Sequence, residues 1–164
     1  MIHEVSGDIL LSHAHAIAHG VAPNDHFESG LGLALRDRWP SMAKDFRHYV
    51  HQTHPKPGEL WMWSGVGDTH IINLLTQEGE HGHGSRPGKA TTANVHHALK
   101  RLKHLVEKEK IRSLALPALA TGVGGLKWSD VKPLIQETLG DLDIPIYVYS
   151  TYHAGVAAKE PVAE

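Results

Sequence analysis

Apolar residues at 95, 98, 99, 102, 105 and 106 recur at three–four spacing, which predicts a helix with one buried face over 92–110. Ala16 to Val21, AIAHGV, is a short run of small apolar residues, the pattern of a strand covered on both faces. Further strands are predicted at Ile2 to Val5, Glu59 to Ser64, His70 to Leu75, Arg112 to Pro117 and Pro145 to Ser150. Leu31 to Trp39 reads as a helix stopped by Pro40. Ser41 is the expected cap of a second helix reaching about His51, and Ser129 opens another to about Leu139. HPKPG at 54–58 is a turn, and GEHGHGSRPG at 79–88 a long polar loop. Strands that alternate with helices predict a layered α/β fold with a largely parallel central sheet flanked by helices. One domain is expected over 1–153. The stretch 154–164, AGVAAKEPVAE, lacks periodicity and is expected to form a loose tail.

Composition narrows the function. The chain has 164 residues, 41% hydrophobic and 21% charged, as in a globular protein bathed in water. A net charge of -2 argues against an extensive non-specific nucleic-acid surface. The absence of cysteine removes disulfide and thiolate chemistry. No apolar run approaches the roughly 20 residues of a membrane span, and MIHEVSGD reads as neither a signal nor a transit peptide. The expectation is a cytoplasmic monomer with no membrane partner.

Three glycine-punctuated loops remain to be explained: VSGDILLS, ESGLGLAL and PALATGVGGL. Each falls at a predicted strand end or before a helix. Ligands of open α/β sheets sit beyond the carboxyl ends of the strands. In PALATGVGGL, Gly122, Gly124 and Gly125 allow close backbone approach, and successive N–H groups there form an anion nest. No Gly-Lys-Ser/Thr follows, so it is not a Walker loop. Gly30 and Gly32 precede a helix whose first N–H groups can also face an anion. Asp8, after a short strand, can accept from an exocyclic amine or simply cap a turn.

Taken in order, VSGDIL, AIAHGVA, SGLGLALRDRWP, PGELWMW, HIINLLT, LALPALATGVGGLKW and IYVYS resemble a macrodomain, the ADP-ribose-binding fold, over about residues 2 to 150. The AHG segment, the PG turn before a strand and the GL-x-W ending are similar to one branch of that family. That branch contains the terminal ADP-ribose protein glycohydrolase and the bacterial antitoxin that removes ADP-ribose from DNA. The resemblance implies a six-stranded mixed sheet between helices. It implies that Asp8 holds the adenine amine and that Ile9 offers a backbone N–H. Gly30, Leu31 and Gly32 would line the pyrophosphate and distal ribose. Ala120, Thr121, Gly122, Val123, Gly124 and Gly125 would wrap the phosphates. Tyr149, Ser150 and Thr151 would lie near adenine, and His19 would join the ligand-binding set. The implied ligand is ADP-ribose, free or on a protein, with ADP-ribosylated DNA as the second carrier class, and no cofactor is implied.

The chain departs from that branch at two places. Gln77 stands where the hydrolases resemble each other in a lysine that attacks the opened distal ribose, and Gly124 where protein-acting members carry an acid. Glutamine forms no Schiff base and glycine moves no proton. Two readings follow: a hydrolase that removes ADP-ribose from acidic residues or nucleic acid by another arrangement, and a reader that binds without chemistry. For the first, the polar loop APNDHFES offers Asn24, Asp25, His26 and Glu28. Asn24 and Asp25 are the catalytic candidates, with Gln77 holding water or the distal ribose. Lys89 is the lysine nearest in sequence to Gln77. The 15 histidines raise a third class, a metal-dependent hydrolase. The pairs His13/His15 and His81/His83, without H-E-x-x-H, do not build a functional metal site, and none is expected. His96, His97 and His104 read as a solvated helix face.

Overall fold

The computed structural model describes residues 1–79 and 87–161. The elements run β1 (Ile2–Gly7), β2 (Ala16–Val21), α1 (Gly30–Arg38), α2 (Pro40–Thr53), β3 (Leu60–Ser64) and β4 (His70–Leu75). They continue with β5 (Gln77–Gly79), β6 (Pro87–Ala90), α3 (Thr92–Lys108), β7 (Leu114–Pro117), α4 (Trp128–Leu139) and β8 (Ile146–Tyr152). Six strands form one mixed sheet in the order β1-β8-β7-β2-β4-β3. Only the β3–β4 pair is antiparallel within it.

Alternation sorts the side chains of each strand onto two cores. Ala16, Ala18, Ile72, Leu74, Leu114 and Leu116 pack with the apolar stripes of α3 and α4. Ile17, Val21, Ile71, Leu75, Ala115 and Tyr147 pack on the other face with Leu35, Met42 and Phe46 of α1 and α2. Both faces of the sheet are therefore covered, which is why β2 and β7 read as continuous apolar runs.

The predicted elements recur with instructive differences. Pro40 does not merely stop α1. It occupies the first turn of α2, where its missing N–H costs nothing. Trp39, not Ser41, is the residue between the two helices. Thr91 caps α3 by accepting from Asn94 N. The expected polar loop 79–88 lies mostly outside the described residues, but its two ends pair as the β5–β6 hairpin.

Residues 154–161, expected as a loose tail, carry no regular element yet are bonded to the body at several points. Asp8 N–H donates to Val156 O at 2.7 Å, and His153 N–H to Gly7 O at 3.0 Å. Glu160 accepts from Ser12 Oγ at 2.6 Å, His13 N at 3.0 Å and Tyr149 Oη at 2.7 Å. This strap lies over the β1–β8 edge. It leaves no room for a side chain at Gly7, where a Cβ would come 2.7 Å from Ala158 N.

Candidate functional site

Parallel strands put their carboxyl ends on one edge of the sheet. Asp8 follows β1, the 22–29 loop follows β2, the 118–126 loop follows β7, and Tyr149 to Thr151 close β8. The neighbours β2 and β7 are adjacent in the sheet, so the loops leading to Gly30 and Gly122 leave it side by side. A Cβ built on either Gly30 or Gly122 meets nothing within 4 Å. Two loops thus present bare backbone to open space at neighbouring strand ends.

The 118–126 loop is fixed from inside. Leu126 N–H donates to Ala120 O and Gly125 N–H to Gly122 O, both at 3.0 Å. Thr121 Oγ1 donates to Ala118 O at 2.8 Å. Ala120 sits at φ 61, a left-handed conformation that these bonds hold in place. The hairpin joins in through Ala90 N–H to Gly124 O at 2.9 Å. Gly124 differs from Gly122. Its Cβ would lie 2.6 Å from Ala120 O. The position where an acid was expected to be missing therefore has no room for any side chain. Val123 between them is 60% exposed.

At the other end of the edge, Asp8 is 7% exposed. Its Oδ1 accepts from Leu10 N at 3.0 Å and its Oδ2 from Gly155 N at 2.9 Å. A carboxylate offers about four acceptor positions, so both oxygens keep capacity for an amine. Ile9 opens the short 3-10 turn that Asp8 caps. Tyr149 is buried, Ser150 half-buried and Thr151 exposed along β8. Burial first, then the bond to Glu160, pushes the Tyr149 phenol up, so it stays a donor.

The 22–29 loop is pinned rather than solvated. Asp25 accepts from Phe27 N at 2.9 Å through Oδ1 and from Ala22 N at 3.2 Å through Oδ2. Phe27 adopts φ 56, an uncommon conformation for a bulky residue, and is anchored edge-on against Phe46 at 5.2 Å. Asn24 and Asp25 both line a cavity of about 510 Å³ between this loop, the second half of α2 and Gly79. His26 and Glu28 are exposed, and Gly32 packs on Phe27. Leu31 is half-buried on α1.

Gln77 and His19 lie deeper than a contact residue would. Gln77 is 6% exposed, and its Nε2 donates to Gly88 O at 2.9 Å, tying the β5–β6 hairpin shut. Lys89 is exposed on β6. His19 is 3% exposed and shares a 2.7 Å bond with Asn73 Oδ1. Asn73 Nδ2 donates to Trp61 O, so Asn73 Oδ1 must accept and the His19 proton sits on Nε2. Burial pushes the His19 pKa down, against the smaller pull of Asn73, and favours the neutral ring.

The histidine pairs do not assemble as the sequence places them. His81 and His83 lie outside the described residues. Among those described, one trio, His15, Asp68 and His70, brings potential ligand atoms within 4.8 Å of one another. Its hydrogen bonds oppose a metal. His15 Nδ1 accepts from Arg112 N at 3.0 Å, so its Nε2 carries the proton that faces Asp68 at 3.3 Å. Arg112 Nη2 binds the same carboxylate at 2.8 Å. Arg112 first, then His15 and His70, hold the Asp68 carboxyl well below its ordinary value of 3.8. Its stabilisation is therefore present above that value and fades as pH falls towards the lower folded one. Asp68→Asn should melt earlier than wild type at neutral pH, with the gap closing in acid. Melting curves across that range check it, and a gap independent of pH would assign the loss to packing.

Comparison with known proteins bears on the family and the fold. The family model for the Macro domain matches residues 22–135. A DNA ADP-ribosyl glycohydrolase of Mycobacterium tuberculosis is 28% identical over 153 residues, covering 90% of this chain and 42% of the relative. This chain thus spans less than half the length of that relative. The human ADP-ribose glycohydrolase OARD1 is 22% identical, covering 89% of each chain. The solved macrodomain of Thermus aquaticus DarG superposes with a TM-score of 0.80 at 25% identity, covering 92% of this chain and 98% of its own. No described helix is long and apolar enough to cross a membrane.

Proposed function

The chain belongs to the macrodomain family, and from that premise we propose that it is an ADP-ribosyl glycohydrolase that works without a lysine nucleophile. The observation that carries this reading is the pair of bare glycine loops at the ends of β2 and β7, with Gly30 and Gly122 each facing open space. Names of the relatives support it, since they describe glycohydrolases of ADP-ribose or of ADP-ribosylated DNA.

ADP-ribose would lie along the strand-end edge. Asp8 accepts from the adenine amine, and the N-terminus of α1 and the 120–125 backbone hold the diphosphate from two sides. The distal ribose then points towards the 22–27 loop. Hydrolysis needs one water to bond to the anomeric carbon while the bond from that carbon to the carrier breaks. The carrier leaves with a proton, and free ADP-ribose is the other product. A fixed diphosphate next to the developing positive charge stabilises the transition state, and positioning supplies much of the rest. Asn24 and Asp25 are the candidates to orient the water. Each oxygen of Asp25 already accepts one backbone N–H and has capacity for one more bond. Gln77 acts from behind by holding the hairpin on which Gly79 faces Asn24.

The second reading, a non-catalytic reader, rests on Gln77 and Gly124 standing where lysine and acid were expected. Two carriers separate the readings: one bearing ADP-ribose on glutamate, one bearing it on DNA. Release of free ADP-ribose from either, with many turnovers per protein, is expected. Calorimetric binding of ADP-ribose without release would make the protein a reader. Neither binding nor release would remove ADP-ribose from the account.

A further inference from the structure

Strand β3 ends the sheet and has a neighbour, β4, on one side only. Glu59 O accepts from Leu75 N at 2.9 Å and Gly65 N–H donates to Thr69 O at 2.8 Å, one bond at each end of the β3–β4 ladder. In that register Trp61 and Trp63 spend their backbone groups on Asn73 and Ile71. The N–H and C=O groups of Leu60, Met62 and Ser64 therefore point away from β4. Among the described residues, no partner takes them up. Natural proteins blunt such edges with a charge, a proline or a bulge. The opposite edge strand, β1, has Glu4 paired with Lys132 at 3.0 Å and a register shift between Val5 and Ser6. β3 reads LWMWS in even register and has none of these devices.

One flank of this open edge is charged. Leu60 and Leu105 floor a groove whose rim is Lys100, Arg101, His104 and Lys108 of α3. Among the described residues, Lys100, Arg101 and Lys108 have no carboxylate within ion-pair distance. Glu107 of the same helix lines a different groove, with Asp141 and Asp143. A helix face that is merely solvated usually mixes both signs, and this one carries a single sign. The sign continues through Lys56 to Arg47 of α2, because the turn that carries Lys56 leans on α3: a Cβ on Gly58 would sit 3.2 Å from His97 Cβ. Helix and strand thus run side by side. The rim residues recur at four-residue steps, about 6 Å along a helix. Same-side residues of a strand recur at about 7 Å, nearly the same interval.

We propose that β3 is a docking edge for an extended acidic segment of a protein partner, which adds as a further strand beside Leu60, Met62 and Ser64. This holds whatever chemistry occurs at the strand ends. The outward groups of β3 are both donors and acceptors, and another peptide backbone matches both. A phosphodiester strand only accepts, and would leave the outward carbonyls unpaired. A second copy would pair β3 with β3 about a two-fold axis normal to the sheet. Both basic faces of α3 would then lie on the same side, where like charges repel. A peptide with an acid at every second position instead sets its carboxylates over the rim of α3. The residues between them fall on the side of Trp61 and Trp63, which face the other core.

The test uses the full chain and a synthetic peptide of about eight residues, an ordinary strand length, that alternates glutamate with valine. Amide exchange followed by NMR should slow about tenfold or more at Leu60, Met62 and Ser64 when the peptide saturates. Trp61 and Trp63, already bonded to β4, should change less. Two further peptides are N-methylated, one on its glutamate amides and one on its valine amides. Only one set faces the edge, so one peptide should lose binding and the other keep it. Lys100→Glu/Arg101→Glu should weaken the peptide about tenfold or more with Tm unchanged, and Lys132→Glu, on α4 and paired with Glu4, should not weaken it. Unchanged exchange at the three amides overturns the proposal, as does binding of both methylated peptides. Equal weakening by Lys132→Glu also overturns it, since that would mean diffuse charge only. Slowing by an oligothymidylate but not by the peptide would give the face to a nucleic-acid strand. Slowing that rises with protein concentration alone would give the edge to a second copy. Either result overturns the acidic peptide.

Discussion

Gly124→Asp, which restores an acid at the position where protein-acting relatives are expected to carry one, should destroy the site instead of improving it. The first atom of any side chain there would lie 2.6 Å from Ala120 O and 3.0 Å from Ala120 C and Cα. Those are backbone atoms in a loop closed by the Leu126 bond to the same carbonyl, so no flexible end can give way. Overpacking of this kind costs about 1–3 kcal/mol, which at this chain length lowers Tm by roughly 2–4 °C per kcal/mol. The added carboxylate would also repel the diphosphate that the loop is proposed to hold. ADP-ribose affinity should fall by about a hundredfold or more. Gly122→Ala is the matched control. Its methyl enters open space, so Tm should stay within about 1 °C. Because that space is where phosphate is proposed to sit, affinity should still fall about tenfold. Differential scanning calorimetry and titration calorimetry on both proteins read the two effects separately. Unchanged affinity in Gly122→Ala would show that the loop does not wrap phosphate. A folded, faster Gly124→Asp would show that the backbone yields.

Much of this architecture is legible in the sequence because burial imposes periodicity. Helix α3 repeats its apolar positions over 17 residues, and β2 and β4 carry runs that only a doubly covered sheet explains. The order of strands and helices then fixes which loops share the carboxyl-end edge of the sheet. Single residues are less legible. Three glycines in TGVGG look alike on paper, yet one faces open space and another faces its own backbone. Asp25 reads as an acid free to orient water, but its two backbone bonds make it first a staple of its loop. The β5–β6 pairing escapes detection because its strands are only three and four residues long. Basic residues on α2 and α3 are far apart in the sequence, and only the 54–58 turn packed on α3 joins them into a band. A net charge of -2 therefore bounds the average surface and says nothing about its distribution.

The strap shows how an aperiodic segment is held to the body. Its grip depends on isolated contacts, chiefly one carboxylate, Glu160, that takes three donors, and on backbone bonds at Asp8 and Gly7. Truncation after His153 removes Gly155 N–H from Asp8 Oδ2 and Val156 O from Asp8 N–H. Both bonds fix the proposed adenine contact, so truncation should weaken ADP-ribose and AMP by about tenfold or more, while ribose 5-phosphate binding, which needs no adenine contact, stays as it was. Stability should fall as well, because hydrogen bonds to a charged group contribute about 1.5–3 kcal/mol each when partly buried. Gly7→Ala reaches the same end with the strap still attached, since its methyl would lie 2.7 Å from Ala158 N and 2.8 Å from Val156 O. Glu160→Gln keeps the acceptor oxygen but loses one of the two, and should fall between wild type and truncation. If truncated protein binds AMP as tightly as wild type, Asp8 is held by its own turn through Leu10 and the strap is only a surface cover. Equal losses for AMP and ribose 5-phosphate would mean general unfolding of the edge. Selective loss of the adenine-bearing ligands is the outcome that ties the last residues of the chain to recognition at the first strand.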